Sequence, residues 1–433
     1  MPHVKQMRSK IKITVDNAQI YKQKLHFFAL QFDHFLILDS NQYPAQYEYL
    51  AALGAHCIFT PQKNYFNELF NWHQSLNDWV FGHLAYDLKN HIETLTSSLP
   101  DSIQFPQIFF FQPKYLIQID KNIITYHFLK NYSTTEIIKL HKEILATEIK
   151  TELSVLPFKK RITKQHYLKQ FYQIKQHIQF GDIYEVNFCQ EFYQPHFTAN
   201  PIICYNQLQT FSPMPFSALY RINEKFLLSA SPERYLKKVK NKVISQPIKG
   251  TIKRTSNEKE NRKLKQQLQQ NNKDRAENIM IVDLVRNDLS QTAIKNSVKV
   301  KELCKIYEFP TVFQMISTIE STVDTETPFT DIIKTTFPMG SMTGAPKIKA
   351  MEIIEKYESV KRGLYSGSVG YISPKGDFDF NVVIRSLQIN YKNNYASFIT
   401  GGAITILSNA EDEYEECFVK AQALLNALKT KIE

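Results

Sequence analysis

From about Ile11 to Val155 this chain breaks into short apolar runs divided by polar turns: Phe35-Leu36-Ile37-Leu38 ahead of Asp39-Ser40-Asn41, then Trp79-Val80-Phe81-Gly82-His83-Leu84, then Ile108-Phe109-Phe110-Phe111. Runs of this length, rich in aromatic and branched residues, predict strands with helices between some of them. A polar, basic passage over residues 139–163 follows, and its best break lies around Pro157, dividing the chain into residues 1–156 and 157–433. Beyond it the period changes. Tyr167 to Phe180 carries helical spacing, Gly181-Asp182 ends that helix, and Ile183-Tyr184-Glu185-Val186-Asn187-Phe188 alternates as a strand.

Asp274 to Leu289 predicts a helix whose apolar residues, Ile279, Met280, Ile281, Val282, Leu284 and Val285, surround most of its circumference, so it is expected to be largely buried. Buried helices seldom carry many charges. Glu277, Asp283, Arg286 and Asp288 must therefore be paired, bound to something, or placed at an exposed end.

The 433 residues, 43% hydrophobic and 22% charged, suit a globular chain of two or three domains. Five widely spaced cysteines, Cys57, Cys189, Cys204, Cys304 and Cys417, form no CxxC pair or metal-ligand rhythm. That disfavours a disulfide framework or a zinc site and fits a reducing cytoplasm. Met1 to Val15 is not followed by an apolar core, and no run reaches the roughly 18 apolar residues that span a bilayer, so neither export nor membrane insertion is expected. A formal charge of +11 raises nucleic-acid binding. The densest basic stretch, Lys249 to Arg275, is however interleaved with Glu258, Glu260 and the glutamine-rich run Gln266 to Gln270, and reads as a solvated helix face. A positive balance equally favours small anionic substrates.

Chemistry first shows at Lys249, held between a proline and a glycine in Pro247-Ile248-Lys249-Gly250-Thr251. A tight turn there restricts the backbone and can aim the amine, and an aimed, partly desolvated lysine can serve as a nucleophile. The alternative is an ordinary solvated lysine. Near the C-terminus, Ser408 and Glu411 have capping-box spacing, and a helix with the stripe Tyr414, Phe418, Ala421, Leu425 and Leu428 follows. Its first turns bring Glu413, Glu416 and Lys420 near one face. That face is either an acidic helix start with a Glu416–Lys420 ion pair, or a carboxylate surface for a hard divalent cation. Phe337 to Lys347 places two glycines and two hydroxyl residues ahead of Pro346, at an expected first helical position, where free N–H groups can receive a carboxylate or phosphate. Gly401-Gly402, after the strand-like Ala396 to Ile399, permits a close backbone approach or simply a turn.

Taken in order, several segments resemble the chorismate-utilising enzymes, the family of anthranilate and aminodeoxychorismate synthase component I and of the isochorismate and salicylate synthases. They are Gly181-Asp182-Ile183-Tyr184-Glu185-Val186-Asn187, Ser231-Pro232-Glu233-Arg234, the Lys249 segment, Asp274-Arg275-Ala276-Glu277 through Asn287-Asp288-Leu289, Gly344-Ala345-Pro346-Lys347, Tyr365-Ser366-Gly367, Ile384-Arg385-Ser386 and Glu413-Tyr414-Glu415-Glu416. These cover nearly all of Phe158 to Leu428, and Phe81-Gly82-His83-Leu84-Ala85-Tyr86-Asp87 adds a match further upstream. The resemblance implies an α+β fold of two large, mostly antiparallel sheets packed together with flanking helices. It also implies a component I type N-terminal domain over 1–156 and a chorismate-binding catalytic domain over 157–433.

Carried onto this sequence, the resemblance makes Glu277, Glu413 and Glu416 a magnesium face that bridges to a carboxylate of chorismate. Tyr365, Arg385, Lys420, the backbone of Gly401 and the hydroxyls of Thr251 and Ser341 would hold the remaining carboxylate oxygens, with a guanidinium suited to bidentate contact. Glu233 is then the acid that protonates the departing 4-hydroxyl, and Lys249 the nucleophile. Lysine in this motif resembles the aminodeoxychorismate synthases; anthranilate synthases typically have alanine, and isochorismate and salicylate synthases place a water-activating lysine where this chain has Glu185. The implied activity converts chorismate and ammonia to 4-amino-4-deoxychorismate, for p-aminobenzoate and folate, through a lysine-bound intermediate. Anthranilate synthase component I is the alternative within the family, and a basic nucleic-acid-binding protein the alternative from another class. No cysteine sits in a nucleophile-elbow setting, so ammonia is expected from a separate glutaminase subunit or from solution. Gln314 stands where many relatives carry histidine, so that histidine's proton transfer does not carry over, and Ala403 stands where glycine is usual.

Overall fold

The computed structural model describes residues 8–310 and 312–433. The first third holds β1 (Ser9–Thr14), α1 (Ala18–Phe28), β2 (His34–Asp39), β3 (Tyr49–Ile58), α2 (Tyr65–Leu76), β4 (Val80–Leu84), β5 (Ile108–Asp120), β6 (Ile123–Phe128) and α3 (Thr134–Ala146). The middle holds β7 (Lys159–Lys160), α4 (Lys164–Gln179), β8 (Glu185–Gln194), α5 (Pro201–Phe211), β9 (Phe216–Ile222), β10 (Lys225–Ser231), β11 (Arg234–Val239), β12 (Lys242–Gln246), β13 (Ile248–Lys253), α6 (Glu258–Gln270) and α7 (Asn272–Ser290). Then come β14 (Lys299–Glu308), β15 (Val312–Thr322), α8 (Phe329–Thr336), β16 (Gly344–Ala345), α9 (Lys347–Tyr357), β17 (Ser368–Ile372), β18 (Phe378–Asn381), β19 (Ser386–Asn390), β20 (Tyr395–Thr405) and α10 (Ala410–Leu428).

Hydrogen bonds connect the strands into one antiparallel system with two limbs that share the long strand β5. One limb runs β8–β20–β19–β10–β9–β2–β3–β5. The other runs β5–β4–β17–β18–β11–β12–β15, with β14 on the far edge of β15. Because side chains alternate along a strand, each limb presents two apolar faces. Leu36, Leu50, Ala52 and Tyr220 from the first limb pack on Phe81, Phe109, Val369 and Tyr371 from the second, forming the layer between the sheets. The alternate residues, such as Phe35, Ile37, Tyr49 and Ala51, face outward onto α1, α3, α4, α5, α9 and α10. Val80, Leu84, Phe110 and Ile372 face α2, α7 and α8 on the opposite side. Two packed antiparallel sheets flanked by helices are thus the architecture, as the family resemblance implies.

The passage around Pro157 lies in the irregular stretch between α3 and β7. Strands from either side of it are nevertheless hydrogen-bonded to each other, β2 to β9 and β4 to β17. Among the described residues, no helix is long and apolar enough to cross a membrane.

Three local expectations need correction. The α7 helix is half-buried rather than enclosed, with Ile279 38% exposed, and its charges divide accordingly. Asp283 and Arg286 pair in solvent, whereas Asp288 is buried against Lys347 at 2.5 Å. Pro346 is the N-cap of α9 rather than its first helical residue. Asn409, not Ser408, caps α10: its side chain accepts from the N–H groups of Glu411 and Asp412, while the Ser408 hydroxyl is engaged by Thr405 N–H and donates to the Ala403 carbonyl. Asn409→Ala is therefore expected to cost about 1 kcal/mol, read as a lowered thermal midpoint, and Ser408→Ala to leave the helix start intact.

Candidate active site

Lys249 reaches the site through a β-bulge, not a turn. Ile248 pairs with Ile316 and Thr251 with Gln314, so Lys249 and Gly250 together oppose Met315. Gly250 takes φ +87°, and a Cβ there would press on the Asp274 side chain at 3.0 Å. The extra residue re-aims the neighbouring side chain, and the Lys249 Nζ ends 2.7 Å from Glu185 Oε1 on β8, both groups buried. Burial alone would lower the Lys249 pKa, but Glu185, Glu277 and Glu233 outweigh it and hold the ammonium above its ordinary range. Desolvation therefore does not keep this lysine neutral in the resting site. The second oxygen of Glu185 has no hydrogen-bond partner.

Glu233 lies between β10 and β11 and is buried. Burial raises its carboxyl to about 7, against the opposing effects of the Ser341 hydroxyl and Lys249. Ser341 Oγ donates to Glu233 Oε1 at 2.6 Å, across 108 residues of sequence. A carboxyl poised near neutrality beside a cavity is suited to proton donation.

The acidic face joins α7 to α10. Glu277 is raised to about 7 by burial and by Glu185 and Glu413, less the lowering from Lys249 and Lys273. Burial and Glu416 also raise Glu413. Burial would raise Glu416 as well, but Lys420, 2.6 Å away, together with Lys273 and Lys249, holds it below its ordinary value. Glu277 Oε1 and Glu413 Oε2 are buried without hydrogen-bond partners. Gly402 belongs to the interior of β20, as does Gly401, rather than to a turn beyond it. A Cβ on Gly402 would lie 2.6 Å from Glu413 Oε2 and 3.3 Å from Glu416 Oε2, so the missing side chain leaves room beside these oxygens. Hard, unpaired oxygen donors of this kind fit magnesium. Among the described residues, however, no three His, Cys, Asp or Glu side chains already stand together as a ligand group. Lys273 intervenes, 2.7 Å from Glu413 Oε1 and 3.8 Å from Glu277 Oε1.

The remaining predicted residues converge on the same cavity, of about 740 Å³, which all the predicted site residues line except Glu413. That is ample for a small carboxylated ring. Arg385 occupies the left-handed region at φ +53°, an uncommon conformation for a residue other than glycine and one that clusters at functional sites. Its Nη1 donates to the Lys420 carbonyl at 2.8 Å, and Lys420 Nζ donates to the Gly401 carbonyl at 2.7 Å. Tyr365 is backed by the Cys189 thiol at 3.5 Å and by the buried Glu358–Arg362 pair, whose guanidinium also donates to the Met342 and Asn187 carbonyls. Thr251 and Gln314 share the wall, and Gln314 Oε1 is buried without a partner.

Lys273, as a ligand of the acidic face, was not visible from motif spacing, although its place four residues before Glu277 on a helix is a signal that could have found it. Long-range partners such as Glu185 leave no such trace.

The sequence profile of the chorismate binding enzyme family matches residues 36–426. Aminodeoxychorismate synthase component 1 of Salmonella typhimurium is 37% identical over 268 residues, covering 62% of this chain and 58% of that protein. The chain thus spans under two thirds of the length of that relative. Anthranilate synthase component 1 of Thermus thermophilus is 32% identical over 362 residues, 81% of this chain and 77% of its own length. The solved menaquinone-specific isochorismate synthase of Escherichia coli shares the fold, with a TM-score of 0.75 at 18% identity over 98% of this chain and 95% of that one. With the profile spanning both sheets and the cavity they build, this chain belongs to the chorismate binding enzyme family.

Proposed function

We propose that this chain is an aminodeoxychorismate synthase component 1, which converts chorismate and ammonia to 4-amino-4-deoxychorismate and water. The observation that carries the reading is a buried lysine, aimed by a bulge, in one cavity with a glutamic acid whose carboxyl is raised to about 7. The similarity to aminodeoxychorismate synthase component 1 supports it.

Arg385, Lys420 and Tyr365 bind substrate carboxylate oxygens, with Ser341, Thr251 and the Gly401 backbone closing the cradle. Glu277, Glu413 and Glu416 would hold magnesium, which supplies charge neutralisation at a substrate carboxylate. Lys249 first passes its proton to Glu185, at 2.7 Å. The neutral amine then adds to carbon 2, both ring double bonds shift, and the carbon 4–oxygen bond breaks as Glu233 gives its proton, releasing water. Ammonia attacks carbon 4, the double bonds shift back and the lysine amine is expelled; Glu185 returns its proton to that amine, and a proton from the new ammonium at carbon 4 restores Glu233.

Ammonia comes from a glutaminase partner, a reading supported by the "component 1" in the relatives' names. All five cysteines are free thiols, which supports a reducing, cytoplasmic setting. The test is the purified chain with chorismate, magnesium and ammonium, its product identified by mass spectrometry. 4-Amino-4-deoxychorismate is expected; anthranilate, of different mass, would assign the alternative activity. Glutamine in place of ammonium should give no aminated product from the isolated chain.

A further inference from the structure

We propose that Lys273 is an internal counter-ion of the acidic face, whose ammonium a divalent cation must displace in order to bind. The inference rests on the proposed magnesium role of Glu277, Glu413 and Glu416 and concerns what this chain does before metal arrives.

Three carboxylates drawn from α7 and α10 repel one another unless a cation lies among them. Lys273 fills that place for Glu277 and Glu413, while Lys420 pairs with Glu416. Its Nζ donates to Glu413 Oε1 at 2.7 Å and lies 3.8 Å from Glu277 Oε1. Glu413 is 1% exposed and keeps its other oxygen unpartnered, as Glu277 does its Oε1. The two orphaned oxygens are what one ammonium leaves over, and they are the donors a second, more highly charged ion requires. A magnesium ion draws its oxygens to about 2.0–2.1 Å, and at that range its charge repels the ammonium already bound to Glu413.

The geometry also supplies an exit. Lys273 lies in the first turn of α7, and its side chain is 36% exposed. A flexible four-carbon stem lets the ammonium swing toward water without unwinding the helix, whose start stays capped by Asn271. Ammonium and metal therefore compete for one carboxylate face. Metal affinity in the absence of substrate is held down, and the carboxylates stay folded together meanwhile.

The experiment titrates manganese, and separately magnesium, into the full chain without chorismate, by calorimetry and by the spin-resonance signal of free manganese. Lys273→Met, which keeps the stem and removes the charge, should bind at least about fivefold more tightly than the parent chain, the equivalent of one ion pair. Lys273→Arg should stay near the parent affinity, and Lys273→Met combined with Glu413→Gln should lose the gain. Circular dichroism checks that each variant is folded; Lys273→Gln replaces Lys273→Met if the latter is not. Unchanged or weaker metal binding by the neutral variant, with metal still taken up by the parent chain in the presence of chorismate, overturns the counter-ion and spares the magnesium face. No uptake by any variant, with or without chorismate, overturns both.

Discussion

Lys249→Ala is expected to lose all covalent attachment of substrate and nearly all chorismate amination. In the parent chain, incubation with chorismate and magnesium without ammonia should leave added mass on the peptide containing Lys249 after rapid quenching; the alanine variant should show none. It should still bind chorismate, because Arg385, Lys420 and the acidic face do not depend on the bulge side chain for their positions. Glu185→Gln tests the proton's route. The lysine then loses the carboxylate hydrogen-bonded to its amine, so adduct formation should slow while the fold persists. An alanine variant that aminates chorismate at the parent rate would remove covalent catalysis and return Lys249 to an electrostatic role.

Glu233→Gln should depress turnover by about 10²–10⁴, the usual contribution of a positioned general acid, with chorismate binding largely retained. The sign of the pH dependence follows from its buried carboxyl, raised to about 7. The acid acts only while protonated, so parent activity should fall as pH rises through about 7, and the glutamine variant should lack that alkaline limb. The Ser341 hydroxyl favours the ionised form. Ser341→Ala should therefore move the limb to higher pH. If chorismate affinity collapses in Glu233→Gln while turnover of bound substrate does not, Glu233 is a binding group.

How much of this could be read from the sequence depended on distance along the chain. Period-two and helical patterns locate β2, β4, β5, α4 and α7, because each is decided by neighbours a few residues away. The bulge at Lys249 was not legible: Pro247 and Gly250 suggest a turn, and only pairing with β15, more than sixty residues on, shows that the chain continues as a strand. The same holds for Gly401-Gly402, which interrupt the side-chain pattern but not β20, since β8 lies alongside and a Cβ at Gly401 would meet the Phe188 carbonyl at 2.1 Å. Ser408 satisfied the capping spacing, yet Asn409 stands one residue nearer the first helical N–H groups and takes the cap. At the site, the family resemblance gathered residues that the fold also gathers. It gave no hint of the charge balance, because Lys249–Glu185 and Lys273–Glu413 join residues 64 and 140 positions apart.

The sharing of β5 between the sheets has a practical consequence for anyone seeking a smaller enzyme. A fragment beginning near Pro157 would keep every predicted site residue, yet it would lose β2 from the edge of β9 and β4 from the edge of β17. Two rows of unpaired backbone groups, flanked by the apolar side chains that now fill the layer between the sheets, would face solvent at once. Such edges template association with other copies, so the minimal fragment should emerge as aggregate unless residues 1–156 are supplied, in cis or as a co-expressed second piece, to complete both sheets.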